Sequence, residues 1–185
     1  MRGVAVLVGG AALAWMASSD ALSPGNDEID VQVRKERTAY EVKLEFTVPA
    51  SIEQTWNVLA DYENMAQILS SMDSSRILSR DGNRLTVAQT SHGNAGPVRV
   101  SIDAVREITL TPFSEIRSHQ IKGDLKASDF TTSLHAEGSH TRVIVTGRLV
   151  AAAWASWTLG AETVAAHTRR QYQELRTEIL RRKAP

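Results

Sequence analysis

The chain has 185 residues, of which 42% are hydrophobic and 23% are charged, a composition typical of one globular domain with a sizeable core. Its 21 Lys and Arg residues balance 21 Asp and Glu residues, so a net charge of zero argues against a nucleic-acid-binding protein. The absence of Cys excludes disulfides, a thiolate nucleophile, a Cys-bound metal and the acylated Cys of a lipoprotein.

The N-terminus has the pattern of a secretory signal peptide over residues 1–21. Arg2 provides a minimal positive region, residues 4–17 are uncharged and mostly apolar, and Ser19-Asp20-Ala21 places small side chains at a cleavage site. The apolar run is shorter than the roughly 20 residues of a membrane-spanning helix. We therefore expect an exported, periplasmic protein of a Gram-negative bacterium. An uncleaved N-terminal anchor is the alternative.

Residues 22–38 are polar and have little periodicity, which predicts a linker, with a short strand at residues 29–33 as an open alternative. From residue 40 to 48, apolar and polar residues alternate without interruption. This period of two predicts a strand with one buried face and one solvated face.

Two short helices are expected directly after this first strand. Pro49 ends the strand, and Ser51 is placed to cap a helix that runs to Ala60 with its apolar residues on one face. Asp61 interrupts that helix and can cap a second one over residues 62–69.

Six further strands are predicted, because alternating stretches are separated by turn sequences such as Asp81-Gly82-Asn83. Their expected ranges are 75–80, 84–91, 98–108, 115–122, 126–136 and 141–150. Every connection is short, which favours an antiparallel meander.

The last segment, about residues 154–183, is predicted to be one long helix. Apolar side chains recur at three- and four-residue steps from Trp157 to Ile179, forming one stripe of about six turns. Gly160 inside this helix is unfavourable and indicates a bend or a close approach.

These elements predict an α+β fold in which a seven-stranded, curved antiparallel sheet wraps around the long C-terminal helix. The dry face of such a sheet must be covered, and the long helix is the one large cover available. A twisted sheet leaves a gap toward one end of the helix, which the two short helices cover. We expect a cavity between these three parts.

Residues 48–65, from Val48-Pro49-Ala50 through Asp61-Tyr62-Glu63, resemble the opening of the START-like (SRPBCC) superfamily. Within it they are most similar to the polyketide cyclase/dehydrase and coenzyme Q-binding group, and Thr141-Arg142-Val143 also fits that group. The resemblance implies a helix-grip fold and a ligand-binding domain over residues 39–183. It also implies lipid, quinone, sterol or polyketide ligands, generally without a cofactor. Leu69-Ser70-Ser71 replaces the Pro and aromatic residue that usually follow the second helix, so the cavity rim is expected to differ there.

Polar residues on the inward strand faces indicate where a ligand would lie, because a buried polar atom without a partner costs about 1–3 kcal/mol. We expect Gln89, Gln120 and Thr132 to orient a polar head. The residues expected to surround an apolar tail are Trp56, Val100, Phe130, Trp157, Ala161 and Val164. Core packing would explain each of these apolar residues singly. Arg106 continues the inward face of its strand, and twisting of the strand end into solvent is the alternative for it.

No catalytic motif or metal-binding motif stands out. The five His residues show no helical zinc-site spacing. The sequence has no nucleophile elbow, phosphate loop or dinucleotide fingerprint. We predict that the protein binds no metal and no cofactor, and we assign no residue a catalytic role. The arginines of the C-terminal helix alternate with Glu, which favours a solvated face, with transient membrane contact left open.

The sequence therefore predicts binding and transport of a hydrophobic small molecule, such as a lipid or quinone. The alternative is a cyclase or dehydratase type of enzyme that uses Arg106, Asp129 or a His in the same cavity. A third possibility, a ribosome-associating protein of the same group, is disfavoured by the leader and the neutral charge. Ligand identity and oligomeric state are left open by the sequence.

Overall fold

The structure, a computed structural model, describes residues 29–95, 98–152 and 160–183. Its elements follow in chain order: β1 Asp30–Glu36, β2 Ala39–Val48, α1 Ile52–Leu59, α2 Met65–Ile68, β3 Met72–Asp81, β4 Arg84–Ala95, β5 Val98–Thr111, β6 Glu115–Gly123, β7 Ala127–Glu137, β8 His140–Val150 and α3 Ala161–Lys183. The predicted signal peptide lies outside the described residues.

All eight strands form one antiparallel sheet in the order β1-β2-β8-β7-β6-β5-β4-β3. The meander from β3 to β8 follows the predicted short connections, and β8 then pairs with β2 along its whole length, from Thr141 opposite Val48 to Val150 opposite Ala39. This pairing brings the start and the end of the domain together. The predicted α+β fold with a curved sheet and a long C-terminal helix is confirmed.

The predicted strand count of seven is wrong, because the polar segment before residue 39 contributes the edge strand β1. It pairs with β2 from Asp30 opposite Glu45 to Glu36 opposite Ala39. As an edge strand it is mostly exposed, and Val31 is its one buried side chain. Its sequence therefore has the polarity of a linker, although its backbone is fully paired on one side.

Helix α1 begins where the sequence predicts. The Ser51 hydroxyl accepts a hydrogen bond from the Gln54 backbone N–H (3.3 Å), and the Gln54 Oε1 atom accepts one from the Ser51 N–H (2.9 Å). This reciprocal capping box stabilises the first turn. Helix α2 is shorter than predicted. Asp61 forms a turn with Asn64, accepting hydrogen bonds from its Nδ2 atom at 2.8 and 3.0 Å, and the helix starts only at Met65.

Helix α3 lies across the concave face of the sheet, and its predicted stripe is buried only toward the C-terminal end. Leu175 and Ile179 are buried in the core together with side chains of β2 and β8 such as Leu44 and Val145. The Tyr172 ring lies against Phe46, with ring centroids 6.0 Å apart. The part of this helix predicted over residues 154–159 lies outside the described residues. No helix in the described part of the chain is long and apolar enough to cross a membrane.

Arg182 in the last turn of α3 connects this helix to Asp61, which follows α1, and is itself held by Glu178. The Glu178 carboxylate accepts hydrogen bonds from Arg181 and Arg182, each at 2.6 Å, and Arg182 also pairs with Asp61 at 2.8 Å. The Glu178 side chain is only 13% exposed. The Arg181 hydrogen bond, assisted by Arg182, lowers the pKa of Glu178 to about 2, although partial burial opposes this.

Because the pKa of Glu178 is lower in the folded state than its ordinary value of 4.5, the ionised carboxylate stabilises the fold above pH 4.5. That stabilisation is lost progressively as the pH falls toward 2. We expect Glu178→Gln to lower the free energy of unfolding at pH 7 and to have a shrinking effect below pH 4.5. Urea denaturation at several pH values measures this, with the exposed Glu63→Gln as control. An effect of Glu178→Gln that is constant from pH 7 to pH 3 would contradict the linkage.

Candidate functional site

A cavity of about 370 Å³ lies between the concave face of the sheet, α3, and the segment from α1 to α2. Its volume is within the range of about 300–1,000 Å³ found for small-molecule sites. Thr163, in the first turn of α3, is exposed and also lines the cavity, so the cavity opens beside the start of that helix. The enclosed space expected between sheet and helix is therefore present.

Most of the cavity wall is apolar. The apolar side chains on it come from α1, α2, four strands, the β6–β7 turn and α3: Leu59, Met65, Ile102, Ile116, Leu125, Phe130, Val145, Leu149, Val164 and Leu175. A wall of this kind stabilises an apolar guest because it removes the guest's surface from water at about 25 cal/mol per Å².

One polar group on the sheet side of the wall is Arg106 of β5. Its Nη1 atom donates hydrogen bonds to the hydroxyls of Ser118 (3.3 Å) and Ser128 (3.0 Å). All three residues line the cavity, as does Tyr62. Burial lowers the pKa of Arg106, while Tyr62 and Asp129 oppose this shift. An arginine keeps its proton at neutral pH, so the side chain is a partly buried cation.

Tyr62 and Tyr172 place two phenols on the cavity wall. Burial raises the pKa of both, and for Tyr172 a hydrogen bond with Thr132 partly offsets the effect. Both hydroxyls therefore stay protonated at neutral pH and are able to donate hydrogen bonds.

His92 and His167 line the cavity from β4 and α3. His92 Nδ1 lies 3.0 Å from Asp73 Oδ1 and 2.9 Å from Arg99 Nη2. Burial, followed by the charge of Arg170, lowers the pKa of His167, and His92 adds to this while Glu174 opposes it. His167 is consequently neutral at neutral pH.

The segment Leu69-Ser70-Ser71, which follows α2, is bound to α3 by hydrogen bonds. The Ser70 backbone N–H and hydroxyl both donate to the Glu174 carboxylate, the former at 3.0 Å. The Gln171 Nε2 atom donates to the Ser71 hydroxyl at 3.1 Å. Gln171 is also a cavity-lining residue, so these two serines fix one part of the rim through hydrogen bonds to the helix.

Three of the predicted site residues, Phe130, Thr132 and Val164, line the cavity. Phe130 lies over Gly147 of the neighbouring strand β8, and Thr132 is buried beside Tyr172. The structure thus brings together residues from the middle of β7 and the start of α3.

Most of the other predicted residues are not part of the described cavity lining. Trp56 is buried in the core and packs edge-on against Phe113, with ring centroids 5.8 Å apart. Gln89 donates to the Ser75 hydroxyl at 3.3 Å. Val100 and Ala161 are partly buried and are not among the described lining residues. Trp157 lies outside the described residues.

Gln120 is not among the described lining residues either. Its Nε2 atom donates to the Leu125 carbonyl at 2.7 Å, within the β6–β7 turn. A bulge in the pairing of β5 and β6 places Ile121 between the paired residues, so Gln120 lies opposite Arg106. Gln120 thus holds the turn that carries Leu125.

The predicted ligand set lacks most of the lining residues, among them Arg106, Tyr62, His167 and Tyr172. Signals for two of them exist in the sequence, since Arg106 continues the inward alternation of β5 and Tyr172 belongs to the apolar stripe of α3. Tyr62 and His167 carry no periodic signal, because the first lies in a turn and the second borders the stripe.

No three His, Asp or Glu side chains in residues 29–95, 98–152 and 160–183 are grouped so as to hold a metal ion. The arrangement provides an apolar enclosure with one cation, several hydroxyl groups and a neutral imidazole. Chemically, such a wall can bind an amphipathic molecule or move a single proton.

The model of the family described as "Polyketide cyclase / dehydrase and lipid transport" matches residues 48–171, about two thirds of the chain. Among curated proteins, none matches.

Several solved structures share the fold. A protein of Thermus thermophilus superposes with a TM-score of 0.69 at 19% identity, covering 78% of this chain and 99% of its own. A STAR-related lipid transfer protein from Xanthomonas axonopodis gives a TM-score of 0.67 at 16% identity, with 86% and 97% covered. The Zhui aromatase/cyclase from Streptomyces gives 0.61 at 18% identity, with 78% and 93% covered. At these identities the similarity establishes the fold alone.

Proposed function

The chain belongs to the family of polyketide cyclases, dehydrases and lipid-transport proteins, and on this basis we propose that it binds and carries a hydrophobic small molecule, such as a lipid or quinone. The observation that carries the proposal is the cavity of about 370 Å³ with its mostly apolar wall. Filling an apolar cavity of this volume with water is unfavourable, so a hydrophobic guest is bound there in preference to water.

The compartment proposed for this activity is the periplasm. Support comes from residues 1–21, where Arg2, the apolar run and Ser19-Asp20-Ala21 have the pattern of a secretory leader. A hydrophobic molecule crossing an aqueous compartment needs its apolar surface shielded from water, which an enclosed cavity provides. Cell fractionation with N-terminal sequencing tests this part, and a cytoplasmic product with Met1 retained would contradict it.

The binding function is tested by identifying what the protein holds. We expect native mass spectrometry of protein purified from its own cells to reveal an adduct, and solvent extraction to release an apolar compound in up to equimolar amount. Delipidated protein should then take up an apolar fluorescent probe. Protein that arrives empty and takes up no apolar probe would contradict the proposal.

A second candidate function, a cyclase or dehydratase type of enzyme, is favoured by one observation. His167 is neutral at neutral pH and lines the same cavity as Arg106, so a base and a cation face one enclosed space. Incubation with a linear poly-β-ketone analogue tests it. Turnover that is lost in His167→Asn and kept in the exposed His135→Asn would support it, and absence of any product from the unmodified protein would contradict it.

A further inference from the structure

We propose that the molecule held in the cavity carries an acidic headgroup, a carboxylate or a phosphate ester, and that Arg106 binds this group. The inference rests on the proposed binding function and specifies the chemical class of the ligand. It follows from the charge of the cavity wall, from the hydrogen bonds that Arg106 makes, and from the polarity of the rest of the wall.

The charge on the wall is unbalanced. Among the described residues that line the cavity, Arg106 is the one Lys, Arg, Asp or Glu side chain. In the described part of the chain, no carboxylate lies within ion-pair distance of its guanidinium. Asp129, whose charge raises the pKa of Arg106, directs its carboxylate to His119 at 2.5 Å. Because even a partly buried cation without a counter-ion is costly, an anionic ligand group would stabilise Arg106.

The hydrogen bonds of Arg106 leave part of its guanidinium available. Both bonds found in the described chain come from Nη1, to the hydroxyls of Ser118 and Ser128. These hydroxyls hold one edge of the planar group and fix its orientation. The Nε and Nη2 donors on the other edge have the spacing that a carboxylate or phosphate accepts in two parallel bonds.

The surroundings of Arg106 also suit an anion. Tyr62 lines the cavity and interacts electrostatically with Arg106, and its protonated hydroxyl is a donor rather than a competing negative charge. Ser118 and Ser128 add hydroxyl dipoles on the same side. The headgroup would therefore meet a cation and neutral donors.

Arg106 lies beside apolar wall. Ser128, which accepts a hydrogen bond from Arg106, pairs with Leu149 across β7 and β8, and Leu149 also lines the cavity. A headgroup bound by Arg106 would therefore have apolar surface next to it for a tail. This arrangement fits a compact amphiphile with one tail.

The experiment compares three single-chain probes with the same tail, dodecanoate, dodecyl phosphate and dodecanol, on delipidated full-length protein by calorimetry. The anionic probes are kept below their micelle concentrations and dodecanol below its solubility limit. We expect at least one of the two anionic probes to bind about tenfold or more tightly than dodecanol, since hydrogen bonds to a charged group are the strong ones. The comparison of the two anionic probes distinguishes carboxylate from phosphate.

Variants assign the preference to Arg106. In Arg106→Gln the affinity for the anionic probes should fall to about the affinity for dodecanol, which should itself be unchanged. Arg76→Gln, on the exposed face of β3, should bind all three probes as the unmodified protein does. Equal binding of all three probes to unmodified protein would overturn the inference and leave the proposed function standing. Binding of none of them would contradict the proposed function itself. If Arg106→Gln fails to fold, the comparison on the unmodified protein still decides.

Discussion

Gly147→Ala is expected to destabilise the protein by about 1–3 kcal/mol, the range observed for overpacked cores. A Cβ atom at this position would lie 2.2 Å from Cδ1 of Phe130 and 2.5 Å from the carbonyl oxygen of Asp129. Phe130 and Gly147 are direct partners across β7 and β8. The ring can rotate away, but the carbonyl belongs to the backbone of the paired strand. Relief of the contact therefore requires the two strands to shift.

The stabilising effect of replacing a glycine by alanine is smaller than this cost. Alanine is usually favoured over glycine inside a strand by about 0.5–1 kcal/mol because it restricts the unfolded chain. Gly93→Ala measures this effect alone, since a Cβ atom there meets nothing within 4 Å. Urea denaturation should give a lower midpoint with an unchanged m-value for Gly147→Ala and a neutral or slightly higher midpoint for Gly93→Ala. Equal stability of the two variants would show that the close contact with Phe130 and Asp129 does not destabilise Gly147→Ala, and the prediction would be wrong.

Much of this fold can be predicted from alternation alone. The strand pattern of residues 40–48 and the six later alternating stretches correspond to β2 through β8, because each of these strands has one face on the core and one in solvent. Alternation does not identify strand β1, because most side chains of this edge strand are exposed. Arg34 of β1, for example, forms an ion pair at 2.5 Å with Glu41 of β2 on the outer face of the sheet. The position of β1 is set by pairing with β2, which its own sequence does not encode strongly.

The candidate site is less predictable than the fold, and the reason is geometric. Alternation identifies the face of a strand on which a side chain lies, but it does not give the distance of that side chain from the helix covering the sheet. Thr132 and Gln89 are both on inward faces, yet Thr132 lines the cavity while Gln89 contacts Ser75 on the edge strand β3. Cavity lining depends on sheet curvature and on bulges such as the one opposite Arg106, which are tertiary properties.

Val164→Trp is expected to reduce uptake of an apolar probe by about tenfold or more, a loss of about 1.4 kcal/mol of binding free energy. Val164 lies near the start of α3, where it lines the cavity beside the exposed Thr163. An indole directed from this position would occupy space near the opening and exclude a guest of similar size. The fold should tolerate the change, because Val164 is only partly buried and the added volume enters the cavity instead of close-packed core.

Ala166→Trp is the matched control, since it adds the same ring to an exposed position two residues further along the helix. We expect both variants to unfold at similar urea concentrations and only Val164→Trp to lose probe binding in fluorescence titrations. Because the added tryptophan absorbs ultraviolet light and fluoresces, the titration should use a probe that is excited well outside the absorption band of tryptophan. Full probe affinity in a folded Val164→Trp protein would mean that the guest lies elsewhere, and the assignment of the cavity as the binding site would be wrong.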